Sequence, residues 1–434
     1  MTGRVLEVAC FGRLAGTLSD GPRGLVFEYA PEWVDEGSPP LSQSLPLSGD
    51  FGPEQATAFF GGLLPEGVPR KVLARQLGLS PENEFAVLEA LGGDTAGAVS
   101  LLLPGSPIPA ANDDRVEWLD DTALAELIDE LPTRPMHADS DGEWRLSLAG
   151  AQDKLPVIVG HDGRVGLTQG RTPSTHILKT PIERLPSTVA NEAFCLDLGR
   201  RLGIDTANAT PRRVEGREYL LVERYDRTHV SEGVRRLHQE DFCQALGIPS
   251  QRKYQNEGGP SLPDCFGLIR SAIAVPARDA PRLLDYVGLS FLVGNHDAHG
   301  KNYSLLYAPD SALASLAPAY DILSTVAYQK IQPMTRKMAM SIGGEYRPQY
   351  VQARHLDRLL DEAGLGVAPS RRRLRTLADQ GLRHAGEARR ELAGQGFDAP
   401  VLQTIEETIA TRAEWLQKVA AASKPPVRRA PSRT

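Results

Sequence analysis

The order of hydrophobic and polar positions predicts a mixed first hundred residues and a strand-rich middle. From about Asp226 onward it predicts a half dominated by helical spacing. Residues 4–8 alternate apolar and polar, as do 24–29, and the two are expected to pair across the Gly/Asp-rich stretch between them. From 53 to 77 the spacing is helical, with Pro65 and Pro69 dividing the stretch into pieces. Ser80 and Pro81 offer a cap and a first-turn proline for a helix running to Leu91. Residues 104–115, rich in Pro, Ala, Asn and Asp, read as a linker, and 119–131 as a short acidic helix. Next, 145–148 and 155–159 read as strands joined by a turn of small residues, and 175–179 as a further strand. Residues 187–202 have helical spacing, opened by Ser187 and stopped by Gly203, and 212–223 fold back at Glu215-Gly216. Helices are expected over 238–246, 280–294, 355–363, 370–392 and 400–421. This order predicts an α+β enzyme of two lobes.

Composition narrows the class. A chain of 434 residues, 41% apolar and 24% charged, reads as a soluble protein of two to four folding units. A net charge of -7 excludes a general cationic coat for nucleic acid. It leaves local patches such as Arg371-Arg372-Arg373-Leu374-Arg375, which can meet DNA phosphates or form a solvated helix face. The longest apolar runs, such as 286–294, fall well short of the roughly 20 residues a bilayer span needs. The chain opens without a basic-then-apolar leader. Cys10, Cys195, Cys243 and Cys265 are scattered without a C-x-x-C, as suits buried thiols in a reducing compartment. The expectation is a cytoplasmic protein without a membrane partner. Residues 422–434, Pro-rich and cationic, read as a disordered tail.

The densest polar cluster is Asn295-His296-Asp297-Ala298-His299-Gly300-Lys301-Asn302, delivered by an apolar helix. Asp297 and Asn302 have the Asp-x-x-x-x-Asn spacing of a kinase catalytic loop, in which the acid takes the attacking hydroxyl and the amide binds Mg²⁺. The residue before the acid is His296 rather than Arg, and two other readings stay open: a solvated turn, or His296, Asp297 and His299 as metal ligands. Asp321, set between apolar neighbours after Tyr320, suits a second oxygen ligand or a turn cap. Ala149, Gly150, Ala151, Gln152, Asp153 and Lys154 form a small-residue turn that can face phosphate oxygens, or a plain hairpin turn. Lys179 ends a strand and Glu192 lies on the next helix, the pairing with which kinases aim an ammonium at the α- and β-phosphates; a solvent-exposed lysine is the plainer alternative. Glu223, Arg224 and Tyr225 close the hairpin where a hinge would lie.

Further blocks run in the same order: Thr175-His176-Ile177-Leu178-Lys179, Asn191-Glu192, Gln239-Glu240-Asp241, Lys253-Tyr254 with Gly258-Gly259-Pro260, and Lys337-Met338-Ala339-Met340. With Ser147-Leu148-Ala149-Gly150 and the loops above, the series resembles the HipA-type serine/threonine kinases, the toxins of bacterial HipBA toxin–antitoxin modules. The resemblance implies a protein-kinase-like fold: a small N-terminal subdomain over 1–105, a β-rich ATP-binding lobe over 106–226 and a helical lobe over 227–421. It implies ATP and Mg²⁺, with Asp297 as catalytic base and Asn302 and Asp321 as metal ligands. Residues 149–154, Lys179, Glu223, Arg224, Tyr225, His299, Gly300, Lys301, Asn302, Tyr320 and Asp321 would line the nucleotide site. Ser147 would be autophosphorylated, shutting the enzyme off. The implied substrate is an aminoacyl-tRNA synthetase, by default the glutamyl enzyme, whose modification arrests translation and growth. The implied partner is a HipB-like helix-turn-helix antitoxin, through which the complex meets operator DNA. The competing functions are a catalytically weak co-repressor and a His/Asp metal-dependent hydrolase.

Overall fold

The computed structural model describes residues 4–91, 95–108, 116–132, 152–168, 172–230, 233–309 and 311–421. The expected strand at 145–148, Ser147, Ala149, Gly150, Ala151 and the tail lie outside the described residues.

The first unit contains β1 (Val5–Cys10), β2 (Arg13–Gly21), β3 (Gly24–Tyr29), α1 (Pro31–Asp35), α2 (Pro53–Gly61), α3 (Gly67–Gln76), α4 (Glu84–Leu91) and β4 (Val99–Leu102). Its antiparallel sheet has the order β3-β2-β1-β4. The expected pairing of the first and third strands is corrected here, because β2 lies between them. Phe11 and Gly12 make a two-residue turn with φ of 52° and 76°, folding β1 straight back onto β2. Phe27 then pairs with Leu18. Leu6, Val8, Leu18, Phe27, Phe59 and Phe60 close the core between sheet and helices. The helix expected from Ser80 starts later, at Glu84, because Asn83 caps it by accepting the Ala86 N–H at 3.0 Å.

The second unit contains β5 (Val116–Trp118), α5 (Asp121–Glu130), β6 (Lys154–Val159), β7 (Val165–Thr168), β8 (His176–Lys179), α6 (Thr188–Arg201), β9 (Ala209–Val214) and β10 (Arg217–Glu223). The sheet runs β5-β7-β6-β8-β10-β9, and β5 and β7 are strands that periodicity missed. The β9–β10 turn is at Glu215-Gly216 as expected, both with positive φ.

The remaining half carries β11 (Arg227–Val230), β12 (Gly233–Arg236), β13 (His238–Asp241), α7 (Phe242–Ala245), α8 (Leu262–Ala272), α9 (Pro276–Val293), β14 (Ser304–Tyr307), β15 (Ser315–Leu316), α10 (Ala353–Glu362), α11 (Val367–Gly394) and α12 (Pro400–Ala421). Of the helix expected over 238–246, the first four residues are strand and only 242–245 are helix. Asp241 and Gln244 form a reciprocal capping box, so the helix cannot start earlier, and 238–241 pair with β14. The long helices bury one continuous core that includes Leu283, Leu289, Leu292, Leu377, Ile405 and Ile409. Arg371 and Arg373 reach Asp357 and Asp285 at 2.7 and 2.5 Å, so the arginine-rich stretch is partly spent on contacts within the chain.

The first unit is bolted to the rest by buried polar groups. Asp226 accepts the Gly97 N–H at 2.7 Å and pairs with Arg224 and Arg227, while Arg224 donates to the Thr95 carbonyl at 3.0 Å. Nearby, Glu240 accepts from the Gln43 N–H at 3.1 Å and from the Tyr307 hydroxyl at 2.6 Å.

Candidate active site

A cavity of about 390 Å³ lies between the two lobes, with the first unit forming part of its wall. Its lining combines the apolar and aromatic Ile177, Ala207, Val222, Tyr225, Tyr320 and Leu323 with the charged and polar Lys154, Lys179, Asp297, Asn302 and Asp321. An apolar lining combined with charged groups suits a flat base joined to an anionic chain.

Alternation along β8 turns Lys179 inward. Its ammonium reaches Glu192 of α6 at 2.6 Å and Asp321 at 2.9 Å. Burial works against that charge, but the two carboxylates outweigh it and hold the pKa above the ordinary lysine value. The β6–β8 register sets Lys154 directly opposite Lys179. Burial is the main influence on Lys154 and brings its pKa down to about 8. Asp321 sits in left-handed backbone, φ 56°, with a side chain 41% exposed. The Lys179 ammonium holds its carboxyl well below the usual carboxylate range. A side chain held in this sparsely populated backbone region marks a position set by the surrounding structure for use.

The catalytic-loop candidate begins where α9 stops. Gly294 ends the helix in left-handed backbone, φ 75°, and a Cβ there would meet the Val326 side chain at 2.8 Å. Asp297 is exposed to the cavity mouth, its N–H bonded to the Asn295 side chain at 3.0 Å and its carboxylate accepting the Tyr254 hydroxyl at 2.7 Å. Protein crowded around that carboxylate raises its pKa, while Tyr254 pulls it the other way. Asn302 donates to Asp321 at 3.3 Å and accepts the His299 N–H at 3.2 Å.

Other expected residues fall out differently. Gln152 and Tyr320 line the cavity, and the Tyr225 and Tyr320 rings lie 5.6 Å apart. His299 lines it too, with Nδ1 buried and without a hydrogen-bond partner among the described residues; burial takes its pKa down to about 3. Glu223 lines the rim and accepts from Asn208 at 3.1 Å. Arg224 and Lys301 also line the cavity, with the Arg224 guanidinium held by Asp226 and the Lys301 ammonium by Asp241 at 2.7 Å. Gly300 supplies close packing, since a Cβ there would stand 2.4 Å from Pro260 and 2.7 Å from Cys243. Asp153 supplies its carbonyl to the Thr180 N–H at 3.3 Å and is not part of the cavity wall.

The metal-hydrolase arrangement does not form. His296 turns away to Arg412 and the Thr335 carbonyl, and among the described residues no group of three His, Cys, Asp or Glu side chains converges. Sequence reasoning assigned no role to Glu66, which reaches Lys253 at 2.7 Å from the first unit and lines the cavity. It likewise assigned none to Tyr254, although the Lys253-Tyr254 pair was visible as a motif. Asp321, 41% exposed, and Asn302, whose amide lies beside it, can each supply one hard oxygen. That fits Mg²⁺, which binds one or two protein oxygens and completes its shell with water and phosphate.

Fold and site together define a two-lobed, kinase-like protein. A HipA N-terminal domain model matches residues 6–102 and a HipA-like C-terminal domain model matches 146–388. The chain is 43% identical over 427 residues to a putative kinase, Y4mE, of Sinorhizobium fredii, covering 96% of this chain and 99% of that protein. It is 32% identical over 350 residues to the serine/threonine-protein kinase toxin HipA of Shewanella oneidensis, covering 78% of each. The solved structure of Shewanella oneidensis HipA in complex with HipB and its operator DNA superposes with a TM-score of 0.81 at 27% identity, covering 96% of this chain and 100% of that one. The chain belongs to the HipA family. Among the described residues, no helix is long and apolar enough to cross a membrane.

Proposed function

We propose that this protein transfers the γ-phosphate of ATP to a serine or threonine hydroxyl of another protein. The observation that carries the reading is the chain Glu192–Lys179–Asp321–Asn302, closed by contacts of 2.6, 2.9 and 3.3 Å, in the cavity that Asp297 also lines. The apolar lining takes the adenine between Ile177, Val222 and Tyr225. Lys179, held by Glu192, meets the α- and β-phosphates, and Lys154 adds a second positive charge. Asp321 and Asn302 would hold Mg²⁺, which would supply neutralising charge at the phosphates. Asp297 orients the acceptor hydroxyl and takes its proton. The acceptor oxygen then bonds to the γ-phosphorus as the bond to the β–γ bridging oxygen breaks, leaving ADP. The raised pKa of Asp297 suits that role, because a stronger base takes the proton more readily.

Family likeness supports the finer assignments. The acceptor is an aminoacyl-tRNA synthetase, with the glutamyl enzyme the default, and its modification arrests translation and growth in the cytoplasm. Ser147 is the autophosphorylation site that inactivates the enzyme. A HipB-like antitoxin binds the chain and carries it to operator DNA, as supported by the superposition on a HipA solved with HipB and operator DNA. The test is incubation with labelled ATP, Mg²⁺ and a panel of purified aminoacyl-tRNA synthetases, followed by mass-spectrometric mapping of phosphosites on acceptor and kinase. Label on one synthetase with wild type and none with Asp297→Ala is the expected result. Equal labelling by both proteins overturns the assignment.

A further inference from the structure

His296 is the residue in the loop that the kinase pattern does not explain, and it is among the most tightly held. It is 3% exposed, and all four of its hydrogen-bonding groups are engaged. Its N–H donates to Thr325 Oγ1 at 2.9 Å, and its carbonyl accepts the Ala339 N–H at 2.8 Å. Nδ1 lies 3.3 Å from the Thr335 carbonyl and 3.4 Å from Gln329 Nε2, which donates to that same carbonyl, and Nε2 lies 3.0 Å from Nη2 of Arg412. A carbonyl only accepts and a guanidinium only donates. The ring must therefore be neutral, with its proton on Nδ1 and its lone pair on Nε2. The catalytic loop, the segment from Thr325 to Ala339 and α12 thus meet at one imidazole.

Arg412 makes the arrangement costly. Its guanidinium donates to the Phe291 carbonyl at 3.2 Å and lies 4.9 Å from the Phe291 ring centroid, with no carboxylate paired to it among the described residues. Burial alone brings its pKa down to about 10. A buried cation without a counter-ion is a poor stabiliser, and an apolar side chain of similar length serves the fold as well or better. Its contribution therefore has to be sought in what it holds. Immediately after the histidine, Asp297 donates its N–H to Asn295, accepts from Tyr254 at its carboxylate and from the His299 N–H at its carbonyl, and its direction depends on where the backbone at 296 is anchored.

We infer that His296 is a positioning residue for Asp297, and that Arg412, from the C-terminal helix, holds it there through Nε2. The inference rests on reading Asp297 as the base of phosphotransfer. Its test measures transfer from labelled ATP with Mg²⁺, the melting temperature, and amide hydrogen exchange over 295–302, in the full chain. Arg412→Met is expected to lower kcat about tenfold with the KM for ATP within about twofold, because a loop displaced by a fraction of an ångström loses alignment more than binding. Its melting temperature should be unchanged or higher, and exchange over 295–302 faster. His296→Leu should match it, the double variant should be no worse than either single, and His296→Gln, whose Oε1 still accepts from Arg412, should retain most of the rate. A wild-type kcat and wild-type exchange in Arg412→Met overturn the inference. So does a kcat loss accompanied by a lower melting temperature in every variant, which signals a merely structural role. If wild type transfers no label, or Asp297→Ala transfers as much as wild type, the phosphotransfer reading falls and the positioning role falls with it.

Discussion

Two ion clusters lie close together in this molecule and do opposite things. Around Asp226, two guanidiniums and the Gly97 N–H close on the carboxylate, Arg224 also donates to the Thr95 carbonyl, and the residue is 2% exposed. Around Lys179, one carboxylate is buried, but the other, on Asp321, is 41% exposed and lies in strained left-handed backbone. The first cluster has nothing left to bind, so it acts as a clamp between the N-terminal unit and the hinge. The second ends in an open carboxylate beside an amide, so it can still accept a cation. The difference is one of completeness rather than of residue type.

The largest effect expected is on the open cluster. Asp321→Ala should cut phosphotransfer about 10⁴-fold, roughly 5.5 kcal/mol of transition-state stabilisation, with little change in melting temperature. Retention of more than a tenth of the rate would break the distinction. Asp226→Ala should do the reverse, removing a buried carboxylate that two guanidiniums share, at about 3–5 kcal/mol of stability in denaturant unfolding. A variant as stable as wild type would show that the clamp is decorative.

The clamp should also show in acid. Burial opposes the charge on Asp226, but Arg224 and Arg227 bring its pKa down from 3.8 to about 2. A carboxylate with a depressed folded pKa contributes stability above its unfolded value and loses it as pH falls through the folded one. Stability of about 2 kcal/mol should therefore disappear between pH 3.8 and about 2, and that limb should be absent in Asp226→Asn. The smallest effect is at the catalytic candidate. Tyr254→Phe removes a hydrogen bond that favours ionised Asp297, so the acid limb of the pH–rate profile should move to higher pH with the plateau little changed. An unmoved limb would mean that Tyr254 does not act on the base.

Much of the candidate site was legible in the chain because it is local. The Asp297 to Asn302 spacing, the glycine that ends α9 and the acid flanked by apolar residues at 321 each need only a short stretch to be seen. The errors were of pairing and of boundaries. Phe11-Gly12 lacks the usual Asn-Gly or Asp-Gly signal, so β2 was missed; 238–241 look helical until β14 offers them a ladder. Arg224 and Lys301 have the charge for a nucleotide site and line the cavity, but Asp226, two residues on, and Asp241, 60 positions away, hold their head groups.

By itself the sequence determined which short stretches carry acids, amides and lysines, which helices are amphipathic, and that the chain resembles HipA kinases, because spacing and order are properties of one dimension. Only the tertiary structure decided which of those charges remain open. Glu66 meets Lys253, Arg412 meets His296 and Lys179 meets Asp321 across 187, 116 and 142 positions, and a buried charge is set by whatever counter-ion packing brings to it.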